Sequence, residues 1–208
     1  MSSTPRFPTV LVPGFLGGQL SLRPLQEALR QCDVDTHDWP RAPFLYRKPI
    51  NFHGRHLAED ILKLREKLDE PITLVGWSEG GLVSVSSMMQ SIIRVYDNPE
   101  EIVCRVITFG TPFHGAWSAE LGWLVDPLLR TSIREMRPGS PTLKKQVSFL
   151  HKPRAWDFQA IFGTNDLLVR PRQPDLNPAW CHYGPWYHRS PLYDSSLFDL
   201  IHRLITDP

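Results

Sequence analysis

The sequence predicts an α/β fold, with a mostly parallel sheet of about six strands and helices on both faces. Three observations predict it. Short β-branched or apolar runs alternate with helix-length amphipathic segments, which is the pattern of βαβ units. Each run ends in a loop rich in glycine, proline or polar residues. One of these loops, Gly76-Trp77-Ser78-Glu79-Gly80, lies between a strand-like run and a helix-like stretch and carries a serine at its bend.

Thr9-Val10-Leu11-Val12 is bounded by prolines and reads as a buried parallel strand. The turn Pro13-Gly14-Phe15-Leu16-Gly17-Gly18 follows. Leu22, Leu25, Ala28 and Leu29 then recur at helical spacing over residues 21–31, with Ser21 as N-cap and Pro24 tolerated in the first turn. Residues 32–55 read as irregular, with a short strand at 34–36. The helix at 56–68 has one apolar stripe of Leu57, Ile61, Leu64 and Leu68. Ile72-Thr73-Leu74-Val75 leads into the serine bend, and a mostly buried helix is expected over 79–96, with Leu82, Val85, Met89, Ile92, Ile93 and Tyr96 inside. A strand follows at 102–109. Apolar helical stretches at 117–129 and 143–150 flank the breaker Arg137-Pro138-Gly139-Ser140-Pro141. Strands at 158–162 and 179–183 and a helix at 195–205 complete the chain.

With 208 residues the chain is long enough for one domain with a substantial core, and a single domain over 1–208 is expected. The formal net charge is +1, so no global attraction to nucleic acid or anionic membrane is implied. Arg41, Arg47, Lys48 and Arg55 mix with Phe44, Tyr46 and Phe52, as in surfaces that stack on single strands. In a near-neutral chain this reads instead as a solvated loop with its aromatics packed inward. The three cysteines, Cys32, Cys104 and Cys181, have neither metal spacing nor the form of a disulfide framework, and fit a reducing compartment. No apolar run is long enough to span a membrane, and the first residues lack the apolar centre of a secretory signal, so a cytoplasmic location is expected. No cofactor motif and no cluster of metal ligands stands out.

Parallel connections place the loops after the strands along one edge, where ligands bind in such sheets. Residues 13–18, 77–79, 110–115, 163–166 and 184–188 all fall there. A serine hydroxyl at neutral pH needs a base to become a nucleophile, and a carboxylate must orient that base. Ser78, Asp166 and His188 each follow a predicted strand and supply the three roles. Asp175 and Asp194 compete as the acid, although Asp194 is placed to cap the last helix. His182 competes as the base but lies within a strand. His114 is read as lining the pocket or holding its loop. Two backbone amides must face the developing oxyanion. One is that of Glu79; the other is that of Phe15, with Leu16 as second choice. The Glu79 side chain is expected to turn away as an ordinary first-turn glutamate, where a helix N-terminus tolerates negative charge. Leu16, Trp77, Phe113, His114, Trp117 and Trp186, with Trp123, are expected to line an apolar pocket.

These segments resemble the α/β-hydrolase superfamily, in particular its small bacterial-type lipases and esterases. Val10-Leu11-Val12-Pro13-Gly14-Phe15 is similar to the family's oxyanion strand and loop. Gly76-Trp77-Ser78-Glu79-Gly80-Gly81 resembles its nucleophile elbow. Gly110-Thr111-Pro112-Phe113-His114-Gly115-Ala116, Arg137-Pro138-Gly139-Ser140-Pro141-Thr142-Leu143, Phe162-Gly163-Thr164-Asn165-Asp166 and Tyr187-His188 resemble later family segments. Three features depart from the family pattern: Pro13 before the loop glycine, Trp77 and Glu79 around the serine, and a start directly at the oxyanion strand. The resemblance implies a minimal fold, the chain order Ser78, Asp166, His188, and at most a modest lid-like segment within 112–150.

The expected activity is hydrolysis of a small-molecule or lipid ester with an apolar acyl chain, through an acyl-enzyme and with transient contact to lipid surfaces. A thioesterase, acyltransferase or amidase would use the same three residues. A binding module that has kept only the fold is the reading from a different class.

Overall fold

A computed structural model describes residues 8–92, 96–116, 132–170 and 176–207, the Ser91 side chain excepted. Among these the strands are β1 (Thr9–Val12), β2 (Thr36–Asp38), β3 (Ile72–Trp77), β4 (Val103–Phe109), β5 (Asp157–Gly163) and β6 (Cys181–Gly184). They form one six-stranded sheet in the order β2-β1-β3-β4-β5-β6, and every pairing is parallel. The helices are α1 (Arg23–Gln31), α2 (Ile50–Leu68), α3 (Glu79–Ser87), α4 (Pro141–Leu150) and α5 (Ser195–Thr206).

Alternation along the strands decides which face each helix covers. Val10, Val12, Leu74, Val106, Phe158, Ala160 and Phe162 pack with Leu57 and Ile61 of α2, Leu82 and Val85 of α3 and Leu143 of α4. Their strand neighbours Leu11, Val75, Ile107, Phe109 and Ile161 point the other way, against Leu25 and Leu29 of α1 and Leu197 and Ile201 of α5. Side chains two apart share a face, so the continuous apolar runs bury both faces of the sheet.

The strand order reverses direction beside β1. The chain runs from β1 out to β2, then returns to place β3 on the other flank, which opens a crevice at the carboxyl ends of β1 and β3. Val12 is level with Gly76 across this pair, so the loops at 13–17 and 77–79 emerge side by side.

Several predicted boundaries moved, each for a local reason. Ser21 is no helix cap: it lies in a 3-10 turn over Gln19–Leu22, and its hydroxyl donates to Gly18 O at 2.9 Å. The strand expected at 34–36 starts at Thr36 because Asp33, at φ 62°, closes α1 while the Val34 amide donates to Leu29 O. The α2 helix begins at Ile50, six residues early, because its first amide is satisfied from afar by Glu135 Oε2 at 2.5 Å. The helix expected over 79–96 is α-helical only to Ser87 and widens into a π turn over Met88–Ile92; Tyr96 is exposed, not buried. The last strand begins at Cys181 because Asn177 caps a 3-10 turn over Pro178–Trp180. The helical stretch expected at 117–129, which holds Trp117 and Trp123, lies outside the described residues, as does Asp175. So does the middle of the 112–150 segment expected to hold a lid. Among the described residues no helix is long and apolar enough to cross a membrane.

Candidate active site

Ser78 sits between β3 and α3 at φ 54° and ψ −122°, a strained backbone for a residue with a Cβ. Neighbouring glycines make the bend feasible. A Cβ on Gly80 would come within 2.2 Å of Val12 O, and one on Gly76 within 2.6 Å of the Gly81 Cα. The Ser78 amide donates to Phe109 O at 2.8 Å, which ties the bend to the end of β4.

Asp166 follows β5 through the turn Gly163-Thr164-Asn165. Its Oδ1 accepts from the amides of Leu168 at 2.8 Å and Val169 at 2.9 Å, and its Oδ2 faces His188 Nδ1 at 2.7 Å. His188 lies in the loop after β6, and its Nε2 is 2.9 Å from Ser78 Oγ. The three predicted groups therefore meet, although 110 residues separate Ser78 from His188. Asp166 is acceptor-only when ionised, so Nδ1 carries the imidazole proton and Nε2 accepts from the serine hydroxyl. Gly110, at φ 55°, leaves room for the pair: a Cβ there would be 3.2 Å from both Asp166 Oδ2 and His188 Nδ1.

The rival residues are engaged elsewhere. His182 Nε2 pairs with Gln159 Oε1 at 2.8 Å. Asp194 caps α5, its Oδ1 accepting from the Ser196 and Leu197 amides. Of the two amides weighed in the first loop, that of Leu16 is taken by Phe44 O at 3.0 Å. Phe15 keeps its place as the second candidate donor beside Glu79.

The Glu79 side chain does not line the cavity, in keeping with the expectation that it turns away, but it is no ordinary first-turn glutamate facing solvent. It is fully buried, and its Oε1 accepts a short hydrogen bond from Ser132 Oγ. Burial, reinforced by nearby Glu135, raises its carboxyl to about 8 against the pull of the Ser132 hydrogen bond, which favours the neutral form near neutral pH.

A cavity of about 490 Å³ opens over Ser78 and His188. Phe15, Leu16 and Trp77 line it as expected, together with Ile133, Met136, Leu168, Val169 and Leu192. Arg189 is the one permanently charged side chain in that lining among the described residues. Three expected pocket residues are elsewhere. Phe113 is buried against Phe158 in the core, and with His114 it borders a separate hollow near α4. Trp186 packs edge-on to Phe109, and its indole donates to Ser196 Oγ at 2.9 Å. Their strand-end positions were right, but the Phe113 and Trp186 rings complete the core. Trp117 lies outside the described residues.

The lining residues missed include Ile133, Met136, Leu168, Val169, Arg189 and Leu192, which carry no motif and reach the cavity through turns. Trp77 has a second part unseen in the sequence: its indole donates to His188 O at 2.8 Å. Among the described residues no group of three or more His, Cys, Asp or Glu is arranged to hold a metal.

No protein-family model matches the chain, and no curated protein matches its sequence. Solved structures do match. The mature form of Bacillus licheniformis lipase BlEst2 superposes at TM-score 0.77 and 19% identity, over 99% of this chain and 94% of that one. Aspergillus fumigatus lipase B matches at TM-score 0.69 and 16% identity, over 96% of this chain, which spans only 52% of the fungal enzyme. The Paleococcus ferrophilus monoacylglycerol lipase matches at TM-score 0.67 and 14% identity, over 98% and 96% of the two chains. The parallel six-stranded sheet, the strained serine turn after β3 and these likenesses together show that the chain has the α/β-hydrolase fold of lipases and esterases.

Proposed function

We propose that this protein hydrolyses carboxylic esters with an apolar acyl chain, using Ser78 as nucleophile, His188 as general base and acid, and Asp166 to orient and stabilise the imidazole. The observation that carries the reading is the unbroken relay from Asp166 Oδ2 through His188 to Ser78 Oγ, at 2.7 and 2.9 Å, facing an apolar cavity. Lipases and a monoacylglycerol lipase among the similar folds support it.

In this reading Ser78 Oγ bonds to the ester carbonyl carbon while its proton passes to His188 Nε2. The tetrahedral oxyanion is held by the Phe15 and Glu79 amides. Its collapse breaks the carbon–oxygen bond to the alcohol, which leaves with the proton from Nε2. A water then adds to the acyl carbon, gives a proton to Nε2, and the acid departs as Ser78 recovers its proton. The cavity's apolar walls favour an acyl chain over a charged one, each buried CH₂ contributing about 0.8 kcal/mol.

The test is a panel of p-nitrophenyl esters of rising acyl length, with a matched acyl-thioester beside it. The expected result is oxyester turnover whose kcat/KM rises with chain length until the cavity is filled, and which Ser78→Ala abolishes. Turnover of the thioester alone would favour a thioesterase. No turnover of either would contradict the proposal.

A further inference from the structure

Glu79 joins three parts of the site that are far apart in the chain. Its amide is one proposed oxyanion donor, directly after Ser78. Its carboxyl is fully buried, with Oε1 accepting from Ser132 Oγ and Oε2 lacking any partner among the described residues. The Ser132 amide donates to Tyr46 O at 2.8 Å, and the Tyr46 hydroxyl donates to Pro13 O at 2.5 Å. Pro13 begins the loop that carries Phe15, the other proposed donor. Ser132 also opens the 3-10 turn Ser132–Met136, whose Ile133 and Met136 line the cavity.

We propose that the Glu79 side chain is a positioning residue for ester hydrolysis: through Ser132 and Tyr46 its buried carboxyl holds the two oxyanion amides and the cavity wall in one arrangement. This rests on the reading of Ser78 as the nucleophile. In this role the carboxyl acts as a neutral acid. A carboxylate buried on the residue that supplies an oxyanion donor opposes the negative charge that forms there, and low dielectric sharpens the conflict. The titratable groups around Glu79 are Tyr46, from the loop before α2, and Glu135, from the Ser132–Met136 turn, both acids. His53 of α2 lies one layer out, edge-on to Tyr46 at 4.9 Å, and burial keeps it neutral. Beyond Glu79, α3 has no other charged residue. Burial holds the carboxyl proton up to about pH 8, so the anchor is intact below that pH and gains a charge above it.

The experiment compares wild type, Glu79→Gln and Glu79→Leu in kcat and KM for a p-nitrophenyl ester from about pH 6 to pH 9.5, with each rate normalised to that protein's own value near neutrality. Fluorophosphonate labelling of Ser78 and thermal unfolding are recorded beside it. The inference expects wild-type kcat to fall about tenfold above pH 8 at nearly constant KM, and expects this fall to be absent in Glu79→Gln, which keeps the shape but cannot ionise. Glu79→Leu, which cannot accept from Ser132, should lose at least about tenfold in kcat across the range. If Glu79→Leu does not fold, the isosteric Gln variant still decides. A Glu79→Gln profile with the same alkaline fall as wild type, while both label normally, would overturn the inference alone. A wild type that neither labels nor turns over ester would overturn the hydrolase reading and the inference with it.

Discussion

The Trp77 indole donates to the backbone carbonyl of His188 at 2.8 Å, with the two ring centroids 5.8 Å apart. The residue before the proposed nucleophile thus anchors the loop that carries the proposed base. Trp77→Phe keeps an apolar wall but removes the donor. It should lower kcat about three- to tenfold, with a smaller change in KM, because a net hydrogen bond contributes about 1 kcal/mol. Steady-state kinetics on a soluble ester would check this split, and an unchanged kcat would show that the loop holds His188 unaided.

Asp166 combines two tasks that separate variants can divide. Its Oδ2 faces His188, while its Oδ1 accepts from the Leu168 and Val169 amides. Asp166→Asn preserves an oxygen for the amides but cannot stabilise the imidazolium, and kcat should fall about 10⁴-fold with folding largely intact. Asp166→Ala should match that loss and also destabilise by about 1–3 kcal/mol, since two amides lose their acceptor. Urea unfolding beside kinetics distinguishes the two variants.

The two histidines near the end of the chain make opposite predictions. His188→Ala should cost at least about 10³-fold in kcat. His182, on the edge strand β6, contacts Gln159 of β5 away from Ser78, and His182→Ala should leave kcat within about twofold. The reverse result would move the base to His182.

Much of this arrangement was readable from the residues, because local chemistry dictates it. Thr9–Val12 was bounded correctly because consecutive apolar residues between prolines admit few alternatives. Ser78, Asp166 and His188 were legible because parallel topology gathers strand ends, whatever their separation in sequence. What stayed hidden depends on distant partners. Nothing near Ile50 signals a helix start, since its cap is Glu135. Nothing around Glu79 signals burial, since an acid after a nucleophile looks like any first-turn glutamate until Ser132 is seen against it. Phe113 and Trp186 were misplaced for a related reason: an aromatic at a strand end can face the cavity or the core, and periodicity stops where the strand does.

Two buried groups should make stability depend on pH with opposite signs, and their effects oppose each other between about pH 4.5 and 6.5. Burial, with nearby His56 adding, lowers His53 to about 4 from its ordinary value of 6.5. Between those values the unfolded chain binds a proton that the folded protein refuses. The stabilisation is therefore fully present above about pH 6.5 and is lost as pH falls toward 4. Glu79, raised to about 8, has the reverse effect: the folded protein keeps a proton that the unfolded chain releases, so stability declines as pH rises from 4.5 to about 8. Melting temperature followed over this range should fall less steeply on the acid side in His53→Leu and on the alkaline side in Glu79→Gln.

The contact between α2 and α3 gives a packing prediction. A Cβ on Gly54 would come within 2.6 Å of Ser86 Oγ and 2.9 Å of the Ser86 carbonyl carbon. Both helices would have to separate. Gly54→Ala should therefore destabilise by about 1–3 kcal/mol despite its better helix propensity. Denaturant unfolding would check it, and a more stable variant would show that the helices can part freely.

The most direct measurement is covalent labelling with a fluorophosphonate, followed by peptide mass spectrometry, on the wild type and on Ser78→Ala and His188→Ala. One adduct is expected, on Ser78, at a rate that falls at least about 10³-fold in His188→Ala, with no labelling in Ser78→Ala. An unlabelled wild type, or an adduct on a different residue that persists in Ser78→Ala, would contradict it.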